Sequence, residues 1–129
     1  MGRRHYRWMF VAIAGLAFVL GACEPSEEVL AGEEIFQVGV EAKGVMACSM
    51  CHLLDGLGSN APPLNGIADR AGNEVAGLSA EKYLRQSIID PNEYLIEGYD
   101  IVKMPGNYGE KLSESDINNL IAYMLTLEE

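Results

Sequence analysis

The consecutive residues Cys48, Ser49, Met50, Cys51 and His52 form a C-x-x-C-H run, which constrains the fold more than any other feature of this sequence. Two thiols three positions apart on a helical turn project from the same side, and an imidazole follows at once. Such thiols can bind two vinyl groups along one edge of a porphyrin, and the imidazole can then bind its iron. The run therefore predicts one covalently attached haem c, held by Cys48, Cys51 and His52.

Three other roles of a C-x-x-C pair fit this sequence less well. Structural zinc needs two further Cys or His ligands, and the remaining candidates, Cys23 and His5, lie in a segment interpreted below as a signal peptide or its cleavage point. A thioredoxin-like redox pair accompanies a βαβ pattern, which we do not find. A disulfide across two residues would be strained and would leave the histidine unused.

The beginning of the chain resembles an export signal rather than part of a folded domain. Three arginines precede an apolar run over residues 9–22, which is shorter than the ~20 residues of a bilayer span. The run ends in LGAC, similar to a bacterial lipobox, in which the cysteine is acylated and the chain is cut just before it. We expect a signal peptide over 1–22, an acylated Cys23, a short acidic linker over 23–28, and one domain over 29–129.

Two alternatives to acylation stay open. An ordinary cleavage site would leave an odd, exposed thiol on a secreted protein, and an uncleaved signal anchor would need a longer apolar run. Acylation would hold the exported domain on the outer, periplasmic face of the bacterial cytoplasmic membrane.

The charge distribution predicts a strongly acidic mature domain. All 19 acidic residues follow Cys23, whereas three of the nine Lys and Arg residues precede it, so cleavage changes the formal charge from -10 to -13. This charge favours a basic protein surface as partner. Nucleic-acid binding is not expected, because the sequence has no basic stripe.

Serine caps and helical periodicity predict an all-α domain. Ser26, Ser79 and Ser113 are expected to begin helices, the last as part of a capping box. A short helix is expected around residues 67–71, and residues 91–112 are expected to form one long connection. The last helix carries an apolar stripe at helical spacing, formed by Ile117, Leu120, Ile121, Met124 and Leu125.

Methionine is the expected source of the second axial ligand. Loss of the signal peptide would leave His52 as the only histidine, and a thioether is the soft alternative for iron. Met46 and Met50 would be tied to the His52 side of the haem, and Met124 belongs to the apolar stripe. Met104 lies in the long connection, just before a proline that stiffens the backbone. We therefore expect His52 and Met104 to bind the iron.

The chain resembles class I c-type cytochromes across nearly all of residues 28–127. Besides the haem motif, the resemblance rests on Gly32…Phe36, Pro62-Pro63-Leu64-x-Gly66, Met104-Pro105 and Leu120-x-x-Tyr123. It implies an all-α, cytochrome c-like domain wrapped around one haem, whose first and last helices cross near a glycine and aromatic side chains.

The same resemblance implies further haem-binding residues. In this family the carbonyl of the proline in a P-x-L sequence accepts a hydrogen bond from the ring of the histidine ligand. Pro62 matches that proline and Leu64 the leucine, so both are expected at the haem. The resemblance leaves open whether Tyr99 or Arg85 reaches the haem propionates.

The expected function is one-electron transfer rather than catalysis of a bond-changing reaction. An iron bound by both His52 and Met104 has no open position for a substrate, and Met/His ligation raises the reduction potential. The expected partners are the lipid membrane, through Cys23, and a membrane electron-transfer complex of a respiratory or photosynthetic chain, either quinol-oxidising or a terminal oxidase. The alternative is a haem enzyme or gas-binding sensor with an open sixth site.

Overall fold

A computed structural model describes residues 24–56 and 60–129, and the secondary structure of these residues is helical. The α-helices are Glu27–Val38 (α1), Ile67–Glu74 (α2), Ala80–Ile89 (α3), Tyr108–Lys111 (α4) and Glu114–Met124 (α5). Short 3-10 helices cover Glu41–Lys43 and Cys48–Met50, and a single antiparallel bridge links Val40 with Val45. The predicted all-α fold is confirmed. None of the helices in the described ranges is long and apolar enough to span a bilayer.

The predictions for the beginning of the chain lie outside the described residues. This applies to the signal peptide over 1–22 and to the acylation of Cys23. The first helix, α1, begins at Glu27, inside the segment 23–28 that was predicted as a linker. The described residues that precede the first helix are therefore 24–26.

Serine side chains begin three of the helices, as predicted from the sequence. The hydroxyl oxygens of Ser26, Ser79 and Ser113 each accept a hydrogen bond from the backbone N–H three residues later. Asp116 completes the capping box, because its carboxylate accepts from the backbone N–H of Ser113 at 2.8 Å. Each cap satisfies a backbone donor that the first helical turn would otherwise leave without a partner.

Helices α1 and α5 cross in close backbone contact at Gly32. A Cβ atom on this glycine would lie only 1.9 Å from the carbonyl oxygen of Asn119 and 2.8 Å from the Cβ of Tyr123. Phe36 is fully buried one turn later, and its ring centroid lies 5.3 Å from that of Tyr123. The expected crossing of the first and last helices is therefore present, and it depends on the missing side chain of Gly32.

The apolar stripe of α5 is buried except at its end. Ile117, Leu120, Ile121 and Met124 are all 6 % exposed or less. The prediction for Leu125 is wrong, since this side chain is 37 % exposed. Leu125 is the C-cap residue and still follows the helical spacing, since its N–H donates to the carbonyl of Ile121, but it lies at the exposed end of the helix.

The predicted long connection over 91–112 contains a helical turn that the sequence did not indicate. This turn, α4, packs its Gly109 against the end of α3, where an added Cβ would lie 3.2 Å from Ile89. Tyr108, the first residue of this turn, is buried, and the Lys111 ammonium donates to the carbonyl of Gly44 at 2.8 Å. A single turn is too short to produce a helical period, which explains why it was missed.

We predict that Gly32→Ala destabilises the haem-loaded protein by about 2 kcal/mol or more. The new methyl group must push α1 away from α5. Such overpacking lowers the free energy of unfolding by ~1–3 kcal/mol, whereas the higher helix propensity of alanine raises it by at most ~1 kcal/mol. Chemical denaturation followed by far-ultraviolet circular dichroism measures the change.

Gly72→Ala is the matched control for this substitution. Gly72 also lies inside a helix, α2, but a Cβ there would meet nothing closer than 3.7 Å. The control is expected to be neutral or to stabilise by up to ~1 kcal/mol. Equal effects of the two substitutions would contradict a close crossing at Gly32.

Candidate functional site

The C-x-x-C-H run forms a tight turn that opens onto a cleft. Its 3-10 helix, Cys48–Met50, brings the backbone N–H of His52 to 2.9 Å from the carbonyl oxygen of Cys48. Cys48, Cys51 and His52 all line the same cleft. Both thiols are free, so the turn presents two sulfur atoms and one imidazole to a single space.

The Cys48 thiol does not resemble that of a redox-active dithiol. Burial raises the pKa of Cys48 from 9.0 to about 11; the neighbouring Cys51 adds to the rise, and a backbone hydrogen bond offsets part of it. Cysteines of thioredoxin-type motifs have lowered pKa values, because the thiolate is their reactive form. The raised pKa keeps Cys48 protonated at neutral pH and argues against the redox-pair interpretation.

His52 is held in the protonation state that a metal ligand requires. Its Nδ1 lies 2.8 Å from the carbonyl oxygen of Pro62, which can only accept, so Nδ1 carries the hydrogen and Nε2 has a free lone pair. Burial lowers the pKa of the imidazole, and the hydrogen bond to Pro62 works against that shift. The ring is therefore neutral at pH 7, with one nitrogen fixed by the backbone and the other available to iron.

The walls of the cleft are largely apolar and come from distant parts of the chain. Phe36 of α1, Ile67 of α2, Leu84 of α3 and Leu120 of α5 all line it. The described residues contain no buried polar or charged side chain. An apolar cleft beside two thiols and a neutral imidazole fits a flat, largely apolar cofactor that is attached through sulfur.

The structure places the remaining predicted haem-binding residues at this cleft. Pro62, Leu64 and Met104 all line it, and Leu64 and Met104 also pack against the hydrophobic core. Met46 and Met124 line the cleft as well. Met124 lies within the buried stripe of α5, whereas Met50 is 69 % exposed and lies outside the cleft lining.

Two residues considered for the propionates have different surroundings. Tyr99 lines the cleft. Arg85 instead joins α3 to α5, because its guanidinium donates to the Glu114 carboxylate at 2.8 Å and to the side-chain oxygen of Asn118. Arg85 is therefore a structural link between two helices and lies outside the cleft lining.

Arg70 is a cleft residue that the sequence reasoning missed. Its guanidinium donates to the backbone carbonyls of Pro63 and Asn65 and lies 3.4 Å from the Glu74 carboxylate. The sequence feature that could have indicated Arg70 as a cleft residue is helical spacing, since Arg70 follows the buried Ile67 by three residues.

Comparison with known proteins agrees with this chemistry. A family model described as Cytochrome c matches residues 29–128. The family that it describes binds haem c, with its iron, covalently. A comparison with curated proteins found no significant match.

We predict that the double variant Cys48→Ala/Cys51→Ala loses most of its native helicity. Without covalent haem the apolar side chains around the cleft have no common packing partner, and a chain of this size can build only a modest core. Far-ultraviolet circular dichroism measures the loss. Ser49→Ala, between the two cysteines, keeps both thiols and should retain native helicity; native helicity in the double variant would contradict the prediction.

Proposed function

Because the chain belongs to the cytochrome c family, we propose that His52 and Met104 ligate its haem iron and that it transfers single electrons at a bacterial membrane surface. Electron transfer through haem is the activity of this family. The observation that carries the proposal is the presence of a neutral imidazole and a thioether in the lining of one apolar cleft. When bound, the haem supplies a one-electron redox centre.

The surroundings of His52 support its role as the ligand next to the attachment site. The carbonyl of Pro62 holds Nδ1–H and thereby orients the ring, which leaves Nε2 as the coordinating nitrogen. This hydrogen bond also increases the electron density that the imidazole donates to the iron.

The surroundings of Met104 support its role as the second ligand. Its side chain is half-buried, lines the cleft and packs against the core, and Pro105 follows it in the chain. A thioether raises the reduction potential of a His-ligated haem. Ligation by both residues leaves no iron position for a substrate, so the chain acts as an electron carrier or electron-transfer subunit rather than as an enzyme.

Charge and tethering support a membrane-bound site of action. After cleavage before Cys23, all 19 acidic residues remain, and they favour a basic surface on the donor or acceptor. Because α1 begins at Glu27, only residues 24–26 separate an acylated Cys23 from the first helix, a reach of at most about 14 Å. So short a tether fits a subunit of a membrane electron-transfer complex, or a carrier that stays close to one, on the periplasmic face.

We predict that Met104→Ala converts a low-spin, six-coordinate haem protein into a high-spin one that binds carbon monoxide readily. Removal of the thioether opens the sixth position of the iron. Absorption spectra should lose the weak sulfur-to-iron charge-transfer band. Met50→Ala is the matched control, because Met50 is 69 % exposed and lies outside the cleft lining, and its spectrum should not change.

The spectrum of the wild-type protein can contradict this prediction. High-spin haem that already binds carbon monoxide in the wild-type protein would contradict ligation by Met104. It would favour the haem enzyme or gas-binding sensor instead.

We predict that Cys23→Ser abolishes lipid attachment. The substitution removes the thiol that an acyl group requires, so the intact mass should lack the lipid. Ser26→Ala, three residues away, removes only the helix cap and should leave both the mass and the location unchanged. A wild-type protein without the added lipid mass would contradict the anchor.

A further inference from the structure

We propose that Lys111 is a positioning residue for Met104, because its ammonium joins the segment that carries this methionine to the loop that leads into the haem-attachment turn. The inference rests on the proposed ligation of iron by Met104. It extends the site from the residues that line the cleft to a lysine that links the two segments bringing the predicted iron ligands to it.

The segment that carries Met104 has few attachments before the methionine. Within the described part of the chain, no backbone hydrogen bond holds residues 100–106. Ile101 and Val102, which precede Met104, are 90 % and 52 % exposed. The position of Met104 therefore depends on the residues that follow it.

The helical turn α4 is the attachment on that following side. Pro105, with its restricted φ angle, and two further residues are all that separate Met104 from α4, so a displacement of Met104 is passed on to this turn. Tyr108 is buried, and an added Cβ on Gly109 would lie 3.2 Å from Ile89. These contacts hold α4 against the end of α3.

Lys111 adds a contact toward the haem-attachment turn. Its ammonium donates to the carbonyl of Gly44 at 2.8 Å. Gly44 belongs to a closed loop, because the backbone N–H groups of Val40 and Val45 each donate to the carbonyl of the other, at 2.9 and 3.1 Å. Cys48 follows Val45 by three residues. The hydrogen bond thus connects the Met104 segment with the segment that begins the C-x-x-C-H run.

The closed loop keeps its own attachments when Lys111 is removed. The Lys43 ammonium contacts the Asp116 carboxylate at the start of α5, and Val45 is only 4 % exposed. Loss of the Lys111 ammonium therefore loosens α4, and with it Met104, while the loop stays in place.

Dissociation of Met104 from the iron is the event that this link opposes. A thioether is a neutral, soft ligand, so it binds ferric iron less strongly than ferrous iron. In the ferric protein, external imidazole competes with Met104 for the sixth position. The apparent affinity for imidazole rises in proportion to the fraction of molecules in which Met104 has left the iron. A hydrogen bond that breaks when α4 moves lowers this fraction.

The experiment compares haem-loaded Lys111→Leu with the wild-type protein and with two matched controls. Lys82→Leu removes a charge from an exposed position on α3, outside the cleft lining. Arg85→Leu breaks a link between α3 and α5 that does not reach the Met104 segment. Imidazole is titrated into the ferric proteins, and its dissociation constant is read from the loss of the sulfur-to-iron charge-transfer band. The melting temperature is measured in parallel.

For Lys111→Leu we expect imidazole to bind about fivefold more tightly, since one hydrogen bond from a charged group no longer opposes the opening. Lys111→Arg keeps a charged donor and should restore the wild-type affinity. Lys82→Leu and Arg85→Leu should leave the imidazole affinity unchanged, and Arg85→Leu should lower the melting temperature. If Lys111→Leu assembles poorly, Lys111→Gln, which keeps a shorter neutral donor, should show an intermediate affinity.

An unchanged imidazole affinity in Lys111→Leu, with a normal charge-transfer band, would overturn the role of Lys111 and leave the ligation by Met104 intact. Equal increases in Lys111→Leu and Arg85→Leu would also overturn it, because general loss of stability would then explain both. A wild-type protein that lacks the band and binds imidazole at an open site would overturn the ligation and the inference together.

Discussion

The contact of the α1 and α5 backbones at Gly32 is the constraint on which the rest of the domain depends. It brings together two helices that are far apart in sequence. They are so close that a Cβ atom on Gly32 would lie 1.9 Å from the carbonyl oxygen of Asn119. The residues that follow Gly32 and Asn119 along these helices, Phe36, Leu120 and Met124, then form one wall of the cleft. The crossing therefore contributes part of the cleft lining as well as part of the core.

The segment around His52 is held in a different way, by hydrogen bonds rather than by packed side chains. Its 3-10 turn and the following loop have few side chains in the core, so backbone hydrogen bonds hold them instead. The Leu64 N–H donates to Leu53, the His52 ring donates to Pro62, and the guanidinium of Arg70 donates to two further carbonyls. The site thus combines a wall fixed by packing with a histidine fixed by hydrogen bonds, and this histidine is the part that single polar substitutions can adjust.

Most of the fold and the chemical core of the site could be predicted because their signals are local. Each helix start is indicated by one capping serine, at Ser26, Ser79 and Ser113. The C-x-x-C-H run indicates a cofactor with only five consecutive residues. Arg70 and Arg85 could not be assigned in this way, since their roles depend on partners brought close by folding. Arg85 meets Glu114 and Asn118 from another helix. Helical spacing indicates that Arg70 lies on the same side of its helix as Ile67, but it does not reveal the backbone carbonyls that Arg70 meets.

The exposed charges of this protein and the backbone hydrogen bonds beside its cleft act on different steps of electron transfer. An exposed carboxylate about 15 Å from the iron would contribute only about 0.3 kcal/mol in water, and a Debye length of about 8 Å reduces this several-fold. A hydrogen bond between neutral groups, such as that of the His52 ring to the Pro62 carbonyl, contributes ~0.5–1.5 kcal/mol. With His52 bound to the iron as proposed, its contacts would therefore outweigh single surface carboxylates in setting the reduction potential. The acidic surface, whose field would reach an approaching protein first, would act instead on the choice of partner and the rate of encounter.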